Sequence, residues 1–294
     1  MVLSEQPISD VPNLVRHDVI CVAYNRHYID MLAAESRRQS RRTRVHLKID
    51  TGMHRVGADP VDAVARATQI VSSPDLELHG VMTHLATADD TGHPATLRQI
   101  DEFRGVLAHV RSVAPEPTHV HVANSAATLR SIMPECTMVR SGIALYGLSP
   151  SDGVADRMTG LQPVMSLRSR VSHVQRVRVG EGVSYGLRST LSSDTTVVTL
   201  PLGYADGIAR RSWETAARVL VGGHRRRILG VVTMDQLMVD CGNDAVRVGD
   251  EAVVFGSQSG ENVSVEEWAA ALGTITYEIV CGVSARVPRD YLGA

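Results

Sequence analysis

The sequence predicts an α/β chain whose first half is a parallel sheet flanked by helices and whose second half is mostly β. Three observations carry this. Short apolar strands alternate with helical segments through the first half, and such βαβα alternation argues a parallel sheet with helices outside it. Polar residues gather at the C-terminal ends of those strands, namely Lys48 to Asp50, Thr83-His84, Asn124-Ser125 and Arg140. Open α/β sheets and closed barrels both place their sites there. Near residue 160 the pattern changes to β-rich runs broken by Gly and Asp.

The elements follow in order. A stub, MVLSE, starts the chain, and VICVAY at 19–24 is a continuous apolar strand. VHLKI at 45–49 alternates, with Val45, Leu47 and Ile49 on one side and His46 and Lys48 on the other. GVMTHLA at 80–86, HVHVAN at 119–124 and MVRSGIALYG at 138–147 complete the strands. Asp59-Pro60 reads as an N-cap with a first-turn proline, opening a helix to about Ser72. Pro94 opens another, through LRQIDEFRGVLAHVRSV. The count is six strand–helix units, the first clipped. An open doubly wound sheet uses six, whereas a closed barrel needs eight. No GxGxxG follows a strand, so a dinucleotide fold is not supported. In the second half, Leu167 to Val179 reads as strand, and TTVVTLPLGYADG, RVLVGG, RRRILGVVTMDQLMVDCG and DEAVVFG are further β runs. Ser264 and Glu267 form a capping box before WAAALG, the one helix expected there.

Composition narrows the class. The 294 residues suffice for one large or two ordinary domains, and a net charge of −2 gives no hint of nucleic acid or an anionic membrane. No apolar run approaches the roughly 20 residues of a membrane span, and MVLSEQPISD lacks the basic and apolar regions of a secretory signal. Cys21, Cys136, Cys241 and Cys281 are scattered, which points to reduced thiols in a cytosolic protein. His119 and His121 share a strand face, but no carboxylate or cysteine stands at ligand spacing, so no metal site is expected. Lys48, in RVHLKIDTGMHRVG, is the only lysine among the 30 lysine and arginine residues. Burial can strip a lysine of its proton and never an arginine, so a lone buried lysine points weakly to chemistry.

Eight segments, in order along the chain, resemble the signatures of the alanine racemase family: KIDTGMHRVG, MTHLATAD, HVANSAA, VRSGIALYGLSP, GEGVSYG, LPLGYADG, TMDQLMVD and YEIV…ARVPR. The resemblance implies a (β/α)₈ barrel that uses pyridoxal 5′-phosphate (PLP), a C-terminal β domain, and a homodimer with shared active sites. It implies interconversion of L- and D-alanine, which supplies D-alanine for peptidoglycan. Under it, residues 1–160 form the barrel domain and 161–294 the β domain. The family's PLP-binding lysine sits in a motif at the end of the first barrel strand, and that motif does not occur here. The expectation is therefore a barrel lacking about its first two βα units, and with them the lysine.

The resemblance also implies roles. Arg140 matches the arginine at the PLP ring nitrogen. An arginine there donates a hydrogen bond and leaves the nitrogen unprotonated, which weakens the cofactor as an electron sink. Ser125, Gly142 and Ile143 match the phosphate cup, with Asn124 beside them. By itself, Asn124-Ser125 reads equally as a helix cap. Tyr185 matches the catalytic tyrosine contributed by a partner subunit, linked through His84 to Arg140. By itself, His84 reads equally as a core histidine. Arg55 matches the residue that meets the substrate carboxylate. Tyr204, Met234 and Asp235 match residues at the substrate entrance. Lys48 matches a lysine that is often carbamylated and that orients Arg55, although pairing with Asp50 explains it as well. Thr233 stands where many members carry cysteine, and Ala285 where many carry a tyrosine touching the phosphate. A non-catalytic relative or dimer partner of the same fold is the alternative.

Overall fold

The computed structural model describes residues 1–293. It divides into two compact units, Met1–Gly142 with Ser151–Arg157, and Ile143–Pro150 with Met158 onward.

The first unit is a parallel sheet with helices. Its strands are β1 (Cys21–Ala23), β2 (Thr43–Lys48), β3 (Leu76–Met82) and β4 (His119–His121), hydrogen-bonded in that order. Its helices are α1 (Val11–Arg16), α2 (Arg26–Arg38), α3 (Ala63–Val71), α4 (Ala95–Val113) and α5 (Ser125–Leu129). Among the described residues this is an open four-stranded sheet, where sequence reading expected six strands. MVLSE is irregular; it lies against the sheet through Val2 N–H to the Ile20 carbonyl. Its Glu5 carboxylate accepts from the N–H groups of Tyr24 (2.8 Å) and Asn25 (2.7 Å), holding the end of β1 to the start of α2. MVRSGIALYG is not a strand either. Its backbone meets the end of β4 through Arg140 N–H to the Ala123 carbonyl, just after Thr137 N–H meets the Val120 carbonyl, and it then turns into a 3₁₀ segment at Ile143–Tyr146. A short apolar run with glycine inside it does not distinguish strand from turn.

The interior of β2 is covered on both sides. Val45, Leu47 and Ile49 lie in the apolar core with Leu32, Ile70, Val81 and Phe103. His46 and Lys48, on the alternate face, are 0% and 4% exposed. The expected helices are present with altered starts. Asp59-Pro60 begins a turn, with Val61 N–H on Asp59 Oδ1, and α3 proper begins at Ala63. Pro94 is the cap of α4.

The second unit is antiparallel. Its strands are β5 (Leu167–Arg170), β6 (His173–Val177), β7 (Gly182–Val183), β8 (Ser189–Thr190), β9 (Thr195–Leu200), β10 (Arg218–Val221), β11 (His224–Leu229), β12 (Leu237–Asp240), β13 (Glu251–Gln258) and β14 (Glu261–Val263). The main sheet runs β14-β13-β10-β11-β12-β9-β6, with β5 on β13, and β7-β8 form a small hairpin. Val198, Leu200, Val219, Val221, Ile228, Val239 and Phe255 fill its core. Helix α6 (Val265–Leu272) is capped by Ser264, whose Oγ accepts from Glu267 N–H at 3.1 Å. The expected return bond of the capping box gives way to an ion pair, Glu267 with Arg225 at 2.6 Å. A second helix, α7 (Thr276–Gly282), was not legible in the sequence. Among the described residues no helix is long and apolar enough to cross a membrane.

Candidate active site

The strand ends of the first unit collect cations. Lys48 closes β2 and is buried, with no ion pair among the described residues. Burial, then the charges of Arg55 and Arg140, lower its pKa, against a smaller opposing effect of Asp50. The segment after it folds back on its own backbone: Asp50 N–H meets the Ala58 carbonyl, and Ala58 N–H meets the Lys48 carbonyl at 2.8 Å. Asp50 Oδ1 accepts from Gly52, Met53 and His54 N–H at 2.9 to 3.0 Å. Burial alone would raise the Asp50 pKa, and those three donors outweigh it, so the carboxyl titrates low. Gly57 has φ +147°, and a Cβ there would lie 2.6 Å from Asp50 N. The sequence thus builds a tight loop that presents Arg55 exposed at its tip.

Arg140 occupies the centre. Its guanidinium donates to the carbonyls of Thr83 (2.7 Å), His121 and Val122 (both 3.2 Å), and to the ring nitrogens His121 Nδ1 (2.5 Å) and His84 Nδ1 (3.3 Å). No carboxylate pairs with it among the described residues. Burial lowers its pKa to about 10, so it stays charged at neutral pH. Because Arg140 can only donate, His84 Nδ1 must accept, which leaves the hydrogen of the neutral ring on Nε2. Burial, then Arg140, Arg55 and Lys48, push the His84 pKa down to about 4. His84 is therefore a neutral Nε2–H donor across the physiological range.

Ser125, Gly142, Ile143 and Asn124, the residues matched to the phosphate cup, lie around the start of α5 and the 3₁₀ segment. Ser125 Oγ accepts from Gly142 N–H at 2.9 Å, so that N–H is engaged within the protein. Asn124 is the cap of α5, its Oδ1 accepting from Ala127 N–H at 3.0 Å, which is the helix-cap reading of that pair. Ile143 is buried at the start of the 3₁₀ segment.

Sequence reading missed Gln99 on α4. This buried amide accepts from Ala86 N–H (2.8 Å) and donates to the His84 carbonyl (3.0 Å) and Thr51 Oγ1 (3.4 Å), while Thr51 Oγ1 also meets Thr83 Oγ1 at 2.8 Å. One side chain thus fastens the loops after β2 and β3. Its signal was a polar residue beside Ile100 and Phe103 on an otherwise apolar face.

The second unit holds the remaining candidates. Tyr185 is 71% exposed on the turn between β7 and β8, yet that turn is held firmly. Ser184 has φ +66°, and its Oγ donates to the Val231 carbonyl at 2.7 Å. Gly230 N–H donates to Ser189 Oγ at 2.7 Å, and a Cβ on Gly230 would lie 2.4 Å from the Val183 carbonyl. Tyr204 and Met234 are neighbours, because Tyr204 and Ala205 N–H donate to the Thr233 and Met234 carbonyls, both at 3.0 Å. Arg286 binds Asp206 (2.7 Å) and Asp235 (2.5 Å) together. Asp206 is buried and also accepts from Gly203 N–H at 2.8 Å. Replacing Arg286 with Met strands that carboxylate, at an expected cost of about 1–3 kcal/mol. Urea unfolding measures this, and an unchanged midpoint would contradict it.

An α/β unit with cations at its strand ends, joined in sequence to an antiparallel β unit that carries a rigidly held tyrosine, defines a candidate enzyme for small anionic ligands. The comparisons with known proteins make this specific. Residues 1–150 match the family model of the alanine racemase N-terminal domain, and residues 164–291 that of the C-terminal domain. Alanine racemase of Frankia casuarinae is 44% identical over 268 residues, 90% of this chain and 70% of the relative. That of Symbiobacterium thermophilum is 44% identical over 89% of this chain and 69% of the relative. Among solved structures, alanine racemase from D-cycloserine-producing Streptomyces lavendulae superposes with TM-score 0.92 and 38% identity, over 100% of this chain and 77% of that one. The Bacillus anthracis racemase with bound L-Ala-P gives 0.89 and 35%, over 98% and 74%. The chain belongs to the alanine racemase family. The N-terminal match begins at residue 1, which lends no support to the expectation that two βα units are missing.

Proposed function

We propose that this protein interconverts L- and D-alanine with PLP. The observation that carries the reading is the cation cluster of Lys48, Arg55 and Arg140, offset by little negative charge and adjoining the neutral donor His84. Such a site suits an anionic cofactor and an amino-acid carboxylate. Arg140 and Ser125 would hold PLP, with Gly142 and Ile143 supporting its phosphate side and Asn124 keeping α5 in place. Bound PLP supplies the sink for the electron pair left when the α-proton departs.

The protein's own groups bind and orient the substrate and serve one face of its α-carbon. Arg55 meets the substrate carboxylate. Lys48, whose pKa burial and the two arginines lower, would take up CO₂ with release of its protons to solvent, and the carbamate would orient Arg55 by a charge-assisted hydrogen bond. Tyr185 exchanges a proton at one face of the α-carbon. The Nε2–H of His84 would donate to the Tyr185 oxygen of a second copy of the chain, completing the Tyr185–His84–Arg140 link. Tyr204, Met234 and Asp235 line the entrance. The exposure of Tyr185, Leu187 and Met234 (71%, 64% and 53%) suits surfaces covered by a second copy of the chain, with shared sites. Four free cysteines suit the cytoplasm.

The test is alanine racemisation by the purified chain with PLP, read by circular dichroism. Tyr185→Phe is expected to lower turnover about 10²- to 10⁴-fold, the usual worth of a general acid–base. Turnover within a few-fold of the parent would remove Tyr185 from the chemistry.

One observation favours a second reading, a non-catalytic partner that lends Tyr185 and Met234 to another subunit. The chain has a single lysine, and its surroundings suit orienting Arg55 rather than binding PLP. Co-expression with an active racemase separates the readings, since a partner role requires a heterodimer.

A further inference from the structure

Behind Arg140 the sheet contains a run of histidines. His46 of β2, His79 of β3, and His119 and His121 of β4 stand ring against ring, with centroid distances of 4.8 to 5.7 Å. His121 Nε2 lies 2.8 Å from His46 Nδ1, and His46 Nε2 lies 3.0 Å from His79 Nδ1. Arg140 heads the series through His121 Nδ1 at 2.5 Å. Among the described residues no group of three or more His, Cys, Asp or Glu is arranged to hold a metal ion. Three of these rings instead bond in series.

The order of the series follows from elementary chemistry. A guanidinium has no acceptor, so His121 Nδ1 accepts, and a neutral His121 carries its hydrogen on Nε2. That Nε2–H donates to His46 Nδ1, which imposes the same tautomer on His46. His46 Nε2–H then donates to His79 Nδ1 and imposes it again. Neutrality is supported by burial, which with neighbouring rings and Arg140 pushes His121 to about 2 and His46 to about 3, and lowers His79. All three ring dipoles then point one way, with the electron-rich end on the guanidinium.

The backbone is shaped to admit this series. A Cβ on residue 80 would lie 2.7 Å from the His46 ring, so Gly80 leaves the space that the imidazole fills. The β2–β3 register shifts between Val45↔Leu78 and His46↔Gly80, so His79 has no partner in register. That extra residue sets its ring beside His46.

We infer that His46 and His79 are positioning residues for Arg140, holding its guanidinium through a chain of tautomers that Arg140 itself sets. The significance for PLP rests on the racemase reading; the chain of rings stands without it. It gives a buried cation a firm seat with no carboxylate, so the charge of Arg140 remains directed at a ligand.

Long-range ¹H–¹⁵N spectra of the ¹⁵N-labelled full chain distinguish the two imidazole tautomers. His46, His79 and His121 are each expected as Nε2–H, with assignments from single His→Gln variants. Arg140→Met is expected to release His121 and His46 into tautomer averaging. His79→Leu and His46→Gln are expected to abolish the slowly exchanging Nη–H signals of Arg140. An Nδ1–H tautomer at His46 or His121, tautomers unchanged by Arg140→Met, or Arg140 signals unchanged in His79→Leu would each overturn the inference. If His46→Gln does not fold, the half-buried His79 variant still decides. No readout needs PLP or turnover, so failure here leaves the racemase reading intact. Locked tautomers without racemisation would fail that reading alone.

Discussion

Lowering the pH from 7 to 5 is expected to destabilise the first unit by on the order of 5 kcal/mol. His46, His84 and His121 titrate near 3, 4 and 2 in the folded protein, against about 6.5 in an unfolded chain. Folding depresses each pKa, so the unfolded state binds more protons between these values and stability rises with pH. The contribution is fully present above about pH 6.5 and is lost as pH falls toward the folded values, at about 2 kcal/mol per histidine between pH 7 and 5. The low-titrating carboxyls Glu35 and Asp50 act in the same direction at more acid pH. All three histidines belong to the first unit. Urea titrations at pH 7, 6 and 5 should therefore show its transition moving to lower urea. A transition independent of pH over that range would refute the buried neutral chain.

Replacing Gly203 with Ala is expected to cost about 3 kcal/mol or more, by overpacking and lost hydrogen bonds. A Cβ there would lie 2.2 Å from the Met234 carbonyl oxygen and 2.3 Å from that of Thr233. Both are backbone atoms, so no flexible side chain can yield. The same two carbonyls accept from Ala205 and Tyr204 N–H, so the segments cannot separate without breaking both bonds. Tyr204 and Met234 are the entrance residues of the proposed site, so alanine binding should weaken along with stability. A thermal midpoint lower by roughly 10 °C is expected, and one within a degree of the parent would show the contact to be absent.

Local pattern made much of this legible. The two helices after β2 and β3, the cap at Ser264 and the change near residue 160 follow from periodicity and capping chemistry, which act over a few residues. Two expected strands failed because an apolar run a few residues long has no periodicity of its own. Six strand-end residues, Lys48, Asp50, Thr83, His84, Asn124 and Ser125, could be read as polar groups closing apolar strands, and the family resemblance suggested roles for Lys48, His84, Asn124 and Ser125. Gln99 could not be read that way, since its partners lie 13 to 48 residues away in sequence.

RVHLKIDTGMHRVG shows the division. The sequence by itself determined that β2 alternates and that Lys48 is the only lysine. Tertiary structure alone decided what His46 and Lys48 face. His46 meets rings from positions 79, 119 and 121 only because parallel pairing with a register shift stacks them. Lys48 loses basicity because the fold buries it and then brings Arg55 and Arg140 near it. Side-chain alternation depends on neighbours in the chain, whereas a pKa or a tautomer depends on neighbours in space.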